Sequence, residues 1–370
     1  MKFVFWQTEV SPHMAGLASA LVEAGESVIF VAGEARSKRR SSMGWPDEVG
    51  GLLNIIYLRN RRHARELVKA FGDDAVHVVQ GLLYNGKMKW PRSVLRKVGA
   101  KWGVVMETVN EHTPLYRLKR SIYGYYFKNE RLRPDFVLAI GDKTPAWVSK
   151  RGYVDERIFS FAYFLSISRA RNSGSEGSSK GPFRIGFVGR IDKGKRLDLL
   201  IDALCGLGER NYVLVVIGDG SLRSDLEKAA YQKLGEGRVR FYGTLDMDQV
   251  YNEESKMDCL VLPSDHDGWG AVVSESLLMG VPVVCSDACG SSVVVKALKG
   301  GYVFEAGNIL SLRRALDKIM SNGRISFQDK MVLSRKAEDI GSRAGASYLK
   351  SIVQFVYANG SRPCPPWCSE

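Results

Sequence analysis

Residues 261–287 read VLPSDHDGWGAVVSESLLMGVPVVCSD. The run ending in Leu262-Pro263-Ser264 is apolar enough for a buried strand. Asp265-His266-Asp267-Gly268-Trp269-Gly270 follows as a polar loop with two glycines. Ala271 to Met279 reads as a helix that Gly280 and Pro282 stop, and Val281 to Cys285 is a second β-prone run. Strand, loop, helix and strand make one βαβ unit of a parallel sheet. Ligands of such sheets bind beyond the carboxyl ends of the strands, where this loop lies. Glycines let a ligand approach the backbone closely. Free N–H groups at the helix start suit an anion. Asp267 and Glu275 stand on either side of that turn, eight positions apart. Taken alone, they also fit two ordinary surface charges.

The same pattern recurs toward the N-terminal side. Phe183 to Gly189 reads as a strand, Arg190-Ile191-Asp192-Lys193-Gly194-Lys195-Arg196 as a basic turn, and Leu197 to Leu204 as the opening of a helix. Cations at a strand-to-helix turn suit a diphosphate, because Arg binds two oxygens at once and Lys is a compact point charge. Tyr212 to Ile217 is a strand ending in Gly218-Asp219-Gly220, and Val239 to Gly243 is a short strand with a turn. Gly301 to Glu305 is a last strand, and helices are expected near 308–321, 326–338 and 344–357.

The first half alternates in the same way. Strands are expected at Lys2 to Gln7, Ser27 to Ala32, Leu53 to Leu58, Val76 to Gln80, Trp102 to Glu107, Phe136 to Ile140 and Ile158 to Phe164. Helices are expected at Leu17 to Ala24 and roughly at 61–71, 88–99, 114–130 and 143–151. Alternation of this kind predicts a doubly wound parallel sheet. The first loop, Thr8 to Gly16, has no GxGxxG fingerprint, which argues against dinucleotide binding. In it, His13 either contacts a sugar or acceptor or caps the helix. The helix near 114–130 interleaves aromatics and bases. It either lies on an anionic membrane surface or, the favoured reading, buries Leu115, Leu118, Ile122 and Tyr126 and hydrates its bases. Residues 167–182, ISRARNSGSEGSSKGP, read as a linker. The expected domains are therefore 1–166, 183–340 and a crossover helix with tail, 341–370.

Asp267-Gly268-Trp269-Gly270-x4-Glu275 resembles the acidic signature of the retaining, family-four glycosyltransferases of the GT-B fold, commonly Glu-x-Phe-Gly-x4-Glu. Gly189-Arg190-x4-Lys195 is similar to the family's Gly-Arg-x4-Lys-Gly, with Arg196 where the glycine stands. Gly218-Asp219-Gly220 resembles its Gly-x-Gly turn. The resemblance implies an α/β protein of two Rossmann-like domains facing a cleft, with the C-terminal helix crossing back to the N-domain. It implies that Arg190 and Lys195 hold the donor pyrophosphate, with Gly270 and Ala271 at the helix start beside it. Asp267 would meet hydroxyls of the donor sugar and Glu275 the ribose. Tyr242 would border the nucleobase, Gly16 the donor diphosphate, and His112 the donor sugar from the N-domain. Asp265-His266-Asp267 spells the D-x-D that holds manganese in the other large glycosyltransferase fold. Here Arg190 and Lys195 take that task, so no cofactor and no essential metal are expected.

Charge and cysteine bound the setting. Of the chain's 370 residues, 1–166 hold 26 Lys/Arg against 16 Asp/Glu, and the net charge is +13 overall. A basic half suggests an acidic partner such as a lipid-linked glycan acceptor or an anionic membrane, or else a solvated face. No run reaches a membrane span, and the N-terminus turns acidic too early for a signal peptide. A cytoplasmic place is expected, with a peripheral one on the inner membrane face left open. Cys205, Cys259 and Cys285 read as small core residues, and Cys364 and Cys368 as an inert tail. The expected function is retaining transfer of a sugar from a nucleotide-diphosphate sugar to a glycan or lipid-linked glycan in cell-surface polysaccharide synthesis. The alternatives are a catalytically weak binding protein of that shape and a nucleotide-sugar epimerase. A nucleic-acid module is not expected, since no such motif is present.

Overall fold

The computed structural model describes residues 1–34, 53–83, 85–109, 115–166 and 181–368. Its strands form two parallel sheets. The first contains β1 (Lys2–Glu9), β2 (Ser27–Glu34), β3 (Asn54–Tyr57), β4 (Ala75–Gln80), β5 (Lys101–Glu107), β6 (Phe136–Ile140) and β7 (Ile158–Phe161), in the order β3-β2-β1-β4-β5-β6-β7. The second contains β8 (Phe183–Val188), β9 (Tyr212–Ile217), β10 (Val239–Gly243), β11 (Cys259–Leu262), β12 (Val283–Ser286) and β13 (Gly301–Phe304), in the order β10-β9-β8-β11-β12-β13. Strands covered on both faces need continuous apolar runs, and YVLVVI of β9 is buried along its whole length. The chain divides into two compact units, one with the first sheet and Ser342–Glu370, the other with the second sheet, Ile167–Gly341.

In the first unit, the helix after β1 spans Pro12–Glu23, so it starts five residues before the expected Leu17. Ser11 is its N-cap, its hydroxyl accepting from the Met14 N–H at 3.4 Å, and Pro12 supplies a φ already set for a first turn. Gly16 therefore lies in a helix rather than a loop. The helix Tyr116–Lys128 buries a different stripe from the expected one. Tyr123 and Phe127 are buried, whereas Leu115 is 70% and Leu118 55% exposed. Apolar residues occur on two stripes of this helix, and Trp147, edge-on to Tyr123 at 5.1 Å, selects the one facing the core. Cys205 is exposed, unlike the buried Cys259 and Cys285, because it sits at the last turn of the helix Leu197–Cys205.

The C-terminal helix, Ser342–Tyr357, belongs to the first unit, in keeping with a helix that returns to the N-terminal sheet. Tyr348 stacks on Phe161, the Tyr357 hydroxyl donates to Asp135 at 2.6 Å, and Lys350 pairs with Glu26 at 2.6 Å. Gly345 makes the close approach possible, since a Cβ there would lie 2.3 Å from the Phe164 ring. The tail is anchored by buried Trp367 against Phe164. Among the described residues, no helix is long and apolar enough to cross a membrane.

Candidate functional site

In the second sheet the strand order reverses between β8 and β11, which puts the loops after these two strands side by side. The basic turn and the acidic loop, 72 residues apart in sequence for Lys195 and Asp267, consequently meet. Lys195 Nζ forms an ion pair with the Asp267 carboxylate. Arg196 Nη1 donates to Asp265 Oδ1 at 2.9 Å, and its Nε lies 3.1 Å from both Asp198 oxygens. The Asp198 and Asp265 carboxylates hold the Arg196 guanidinium pKa above its usual value. Arg190 is half-exposed and sits 3.1 Å from Asp192. Asp192 in turn accepts from the Gly194 and Lys195 N–H groups at 3.0 and 3.1 Å, which folds the basic turn. The Asp265 N–H donates to the Gly194 carbonyl at 3.0 Å and ties the two loops together.

The D-x-D carboxylates are thus each engaged by a cation, Asp265 by Arg196 and Asp267 by Lys195. Arg196 stands in the left-handed region, at φ 55°, where the related motif has glycine. The cost of that conformation, about 1 kcal/mol, is offset locally by its two carboxylate partners. Gly270 is also left-handed, at φ 83°, and immediately precedes the helix Ala271–Leu278. A Cβ on Gly270 would meet Leu262 at 2.7 Å, so only glycine lets the chain turn from the loop into the helix here. Ala271 is the first residue of that helix, so the unpaired N–H groups of its first turn open at the end of the acidic loop.

Two features around this loop and its helix have little signal in the sequence. The segment after β12 braces it. Asp267 N–H donates to the Ala288 carbonyl at 3.1 Å, and the Gly290 N–H donates to the Asp267 carbonyl at 2.9 Å. The Ser291 N–H donates to the Trp269 carbonyl at 2.9 Å. Trp269 is buried and its indole N–H donates to Ser274 at 2.9 Å, which pins the loop to the helix. The only signal in the sequence was the Gly290-Ser291-Ser292 turn after a strand. The second feature is Glu254, at the end of the helix Met247–Ser255. It is fully buried, and neither carboxylate oxygen has a hydrogen-bond partner. Burial, and then the charge of Glu275, push its pKa well above the carboxylate range. Burial also raises Glu275, to about 7. A glutamate in a helix whose neighbours are Asn252, Glu253 and Ser255 gave no hint of an interior position.

Gly218 has a packing role. With φ 132°, a Cβ on it would lie 1.9 Å from the Gly189 carbonyl oxygen, and one on Gly220 would lie 2.3 Å from that of Ile191. The glycines let the turn after β9 press against the loop that carries Arg190. Gly218→Ala is expected to destabilise the protein by about 2 kcal/mol or more, since backbone must move on both sides. Urea unfolding measures this, and an unchanged midpoint would contradict it. The Gly218 N–H donates to Gly243 at 2.8 Å, and the irregularity in β10 between Phe241 and Gly243 leaves Tyr242 43% exposed at the same edge. Asp246, which opens a second D-x-D at Asp246-Met247-Asp248, is a helix N-cap within a capping box.

In the first unit, a Cβ on Gly16 would lie an ordinary 3.5 Å from the Ser166 nitrogen, and His13 stacks on Tyr163 while Ser11 does the capping. His112, the Arg36 to Arg40 basic run and residues 167–180 of the expected linker lie outside the described residues.

Residues 168–339 match the family model described as Glycosyl transferases group 1. An uncharacterised glycosyltransferase of Methanocaldococcus jannaschii is 31% identical over 41% of the chain and 39% of its own length. A lipopolysaccharide core biosynthesis glycosyltransferase of Rhizobium meliloti is 29% identical over 37% of the chain and 39% of its own. The chain thus spans about two fifths of the length of these curated relatives. Among solved structures, HepE of Anabaena in complex with UDP superposes with a TM-score of 0.72 over 96% of this chain and all of its own, at 14% identity. At that identity the likeness is one of fold.

Proposed function

We propose, from the match of residues 168–339 to the Glycosyl transferases group 1 model, that the chain is a retaining glycosyltransferase using a nucleotide-diphosphate sugar, without an essential metal. The observation that carries this is the meeting of Lys195, on the basic turn that also carries Arg190, with Asp267 in the loop that leads into the helix Ala271–Leu278. Cleavage at the anomeric carbon leaves charge on a diphosphate. Preorganised cations and N–H dipoles stabilise such charge most where they are already in place. Lys195 is held by the turn that Asp192 folds, and Arg190, half-exposed, pairs with Asp192 on the same turn. Asp267, fixed by its Lys195 partner and by the 288–290 brace, meets the hydroxyls of the sugar. Glu275, on the helix, meets the ribose. Because both D-x-D carboxylates are already matched by cations, the site's own charges supply what a metal would. The relatives in polysaccharide synthesis and the basic first half favour a glycan or lipid-linked glycan acceptor.

Thermal shift against UDP, GDP, ADP and their sugars, in EDTA, tests the reading. One nucleotide is expected to raise the melting temperature of the wild type and to lose most of that effect in Arg190→Ala. No shift with any nucleotide would sink the proposal. A shift without turnover of any sugar donor would leave a nucleotide-binding protein instead.

A further inference from the structure

Just past the carboxyl end of β6, a cavity of about 910 Å³ opens between the helices Tyr116–Lys128 and Thr144–Ser149. Its floor is a hydrogen-bonded cluster. The Arg151 guanidinium carbon lies over the Trp147 ring, 4.0 Å from its centroid. The same guanidinium donates to the Trp147 carbonyl at 2.9 Å and to the Tyr116 hydroxyl at 3.0 Å. The Trp147 indole N–H donates to that hydroxyl too, at 3.2 Å. Around this floor stand Arg120, Lys128, Lys143 and Lys150, all exposed. Among the described residues, Asp142 is the one carboxylate lining the cavity. None of those four cations forms an ion pair with another described residue. Their mutual repulsion across a shared concavity is relieved by an anion. Tyr125, on the rim, is 62% exposed and offers an aromatic face.

We propose that this cavity binds the diphosphate end of a diphosphate-linked glycan, with Arg151 and the surrounding lysines on the phosphates and the tyrosines against the sugar. A planar guanidinium already held by two acceptors needs little ordering to take phosphate oxygens. The volume lies within the range of small-molecule sites. Helix Tyr116–Lys128 turns its bases and Tyr125 outward because Tyr123 and Phe127 take the core face. The biological sense of the site, an anchorage for acceptor separate from the donor site, rests on the transferase reading. Its physical test does not.

The test uses the full chain carrying Arg190→Ala and Lys195→Ala, which removes the donor-site cations, with inorganic pyrophosphate as probe in calorimetry. One site is expected to remain. Adding Arg120→Glu and Lys150→Glu is expected to weaken it at least tenfold, as is 0.5 M salt. Both added positions are exposed; the neutral pair Arg120→Gln and Lys150→Gln, expected to give a smaller loss in the same direction, guards against misfolding. Absence of pyrophosphate binding in the donor-site variant overturns the proposal, as does binding that charge reversal leaves intact. Cosedimentation with phosphatidylglycerol against phosphatidylcholine vesicles separates the sources. Retention on the anionic vesicles that pyrophosphate fails to displace assigns the surface to membrane and also overturns it. Nucleotide binding by otherwise wild-type protein carrying only the Arg120 and Lys150 changes is expected to be unaltered. Loss of the transferase reading would show there, and loss of this one would not.

Discussion

Lys195→Ala is expected to lower sugar transfer by roughly two to three orders of magnitude, about 3–4 kcal/mol of transition-state stabilisation. Lys195 is the cation that the Asp192 turn holds in place and that pairs with Asp267. On the proposed reading, the ammonium meets growing negative charge as the diphosphate leaves, in a site it already occupies. An interaction that strengthens as the bond breaks lowers kcat when it is removed, whereas one of equal strength in the ground state changes only KM. The variant also strands Asp267, whose side chain is only 16% exposed. Asp267→Asn in the Lys195→Ala background removes that stranded charge and is expected to restore stability without restoring transfer. Steady-state kinetics beside thermal unfolding separates the two effects. Transfer within threefold of wild type in Lys195→Ala would remove this residue from the mechanism.

Raising the pH from 5 to 8 is expected to destabilise the wild type through Glu254 and Glu275, and Glu254→Gln is expected to flatten that dependence. Both carboxyls are raised in the folded protein, Glu275 to about 7 against an ordinary 4.5. The folded chain therefore holds protons that the unfolded chain releases. The stabilisation is complete below about pH 4.5 and is lost as pH rises through about 7. Removing the buried, unpartnered Glu254 carboxyl leaves an amide of the same shape. It also removes the neighbour whose ionisation competes with that of Glu275. A gain of roughly 1–3 kcal/mol at pH 8, and much less at pH 5, is expected. Denaturant unfolding of both proteins at pH 5, 6.5 and 8 measures it. Parallel pH curves for the two would falsify the account. On the transferase reading the same pair tunes the donor site, since Glu275 accepts from both ribose hydroxyls only as a carboxylate.

The parallel sheets were legible in the sequence because a strand covered on both faces must be apolar throughout. β6, β9 and β10 run over the residues expected of them. The basic turn and the acidic loop were legible too, as two motifs each at the end of an apolar run, though only the family resemblance implied that they share a site. Less was readable where two local solutions compete. Ser11-Pro12 is a helix start as well as a loop, and the capping bond at Met14 decides between them. In Tyr116–Lys128 two apolar stripes compete, and Trp147 from another element chooses.

Local spacing and residue type by themselves determined that this chain is α/β, that the turn after β8 is cationic and that the loop before Ala271 is acidic and glycine-bearing. Only the tertiary structure decided which carboxylate meets which cation, that the segment after β12 braces Asp267, that Gly218 serves packing and that Glu254 is buried beside Glu275. The division has one physical reason. Periodicity and turn chemistry act over a few residues, within one element. Burial of a charge, the absence of space for a Cβ and the pairing of Lys195 with Asp267 depend on which strands lie side by side, and the sheet order sets that.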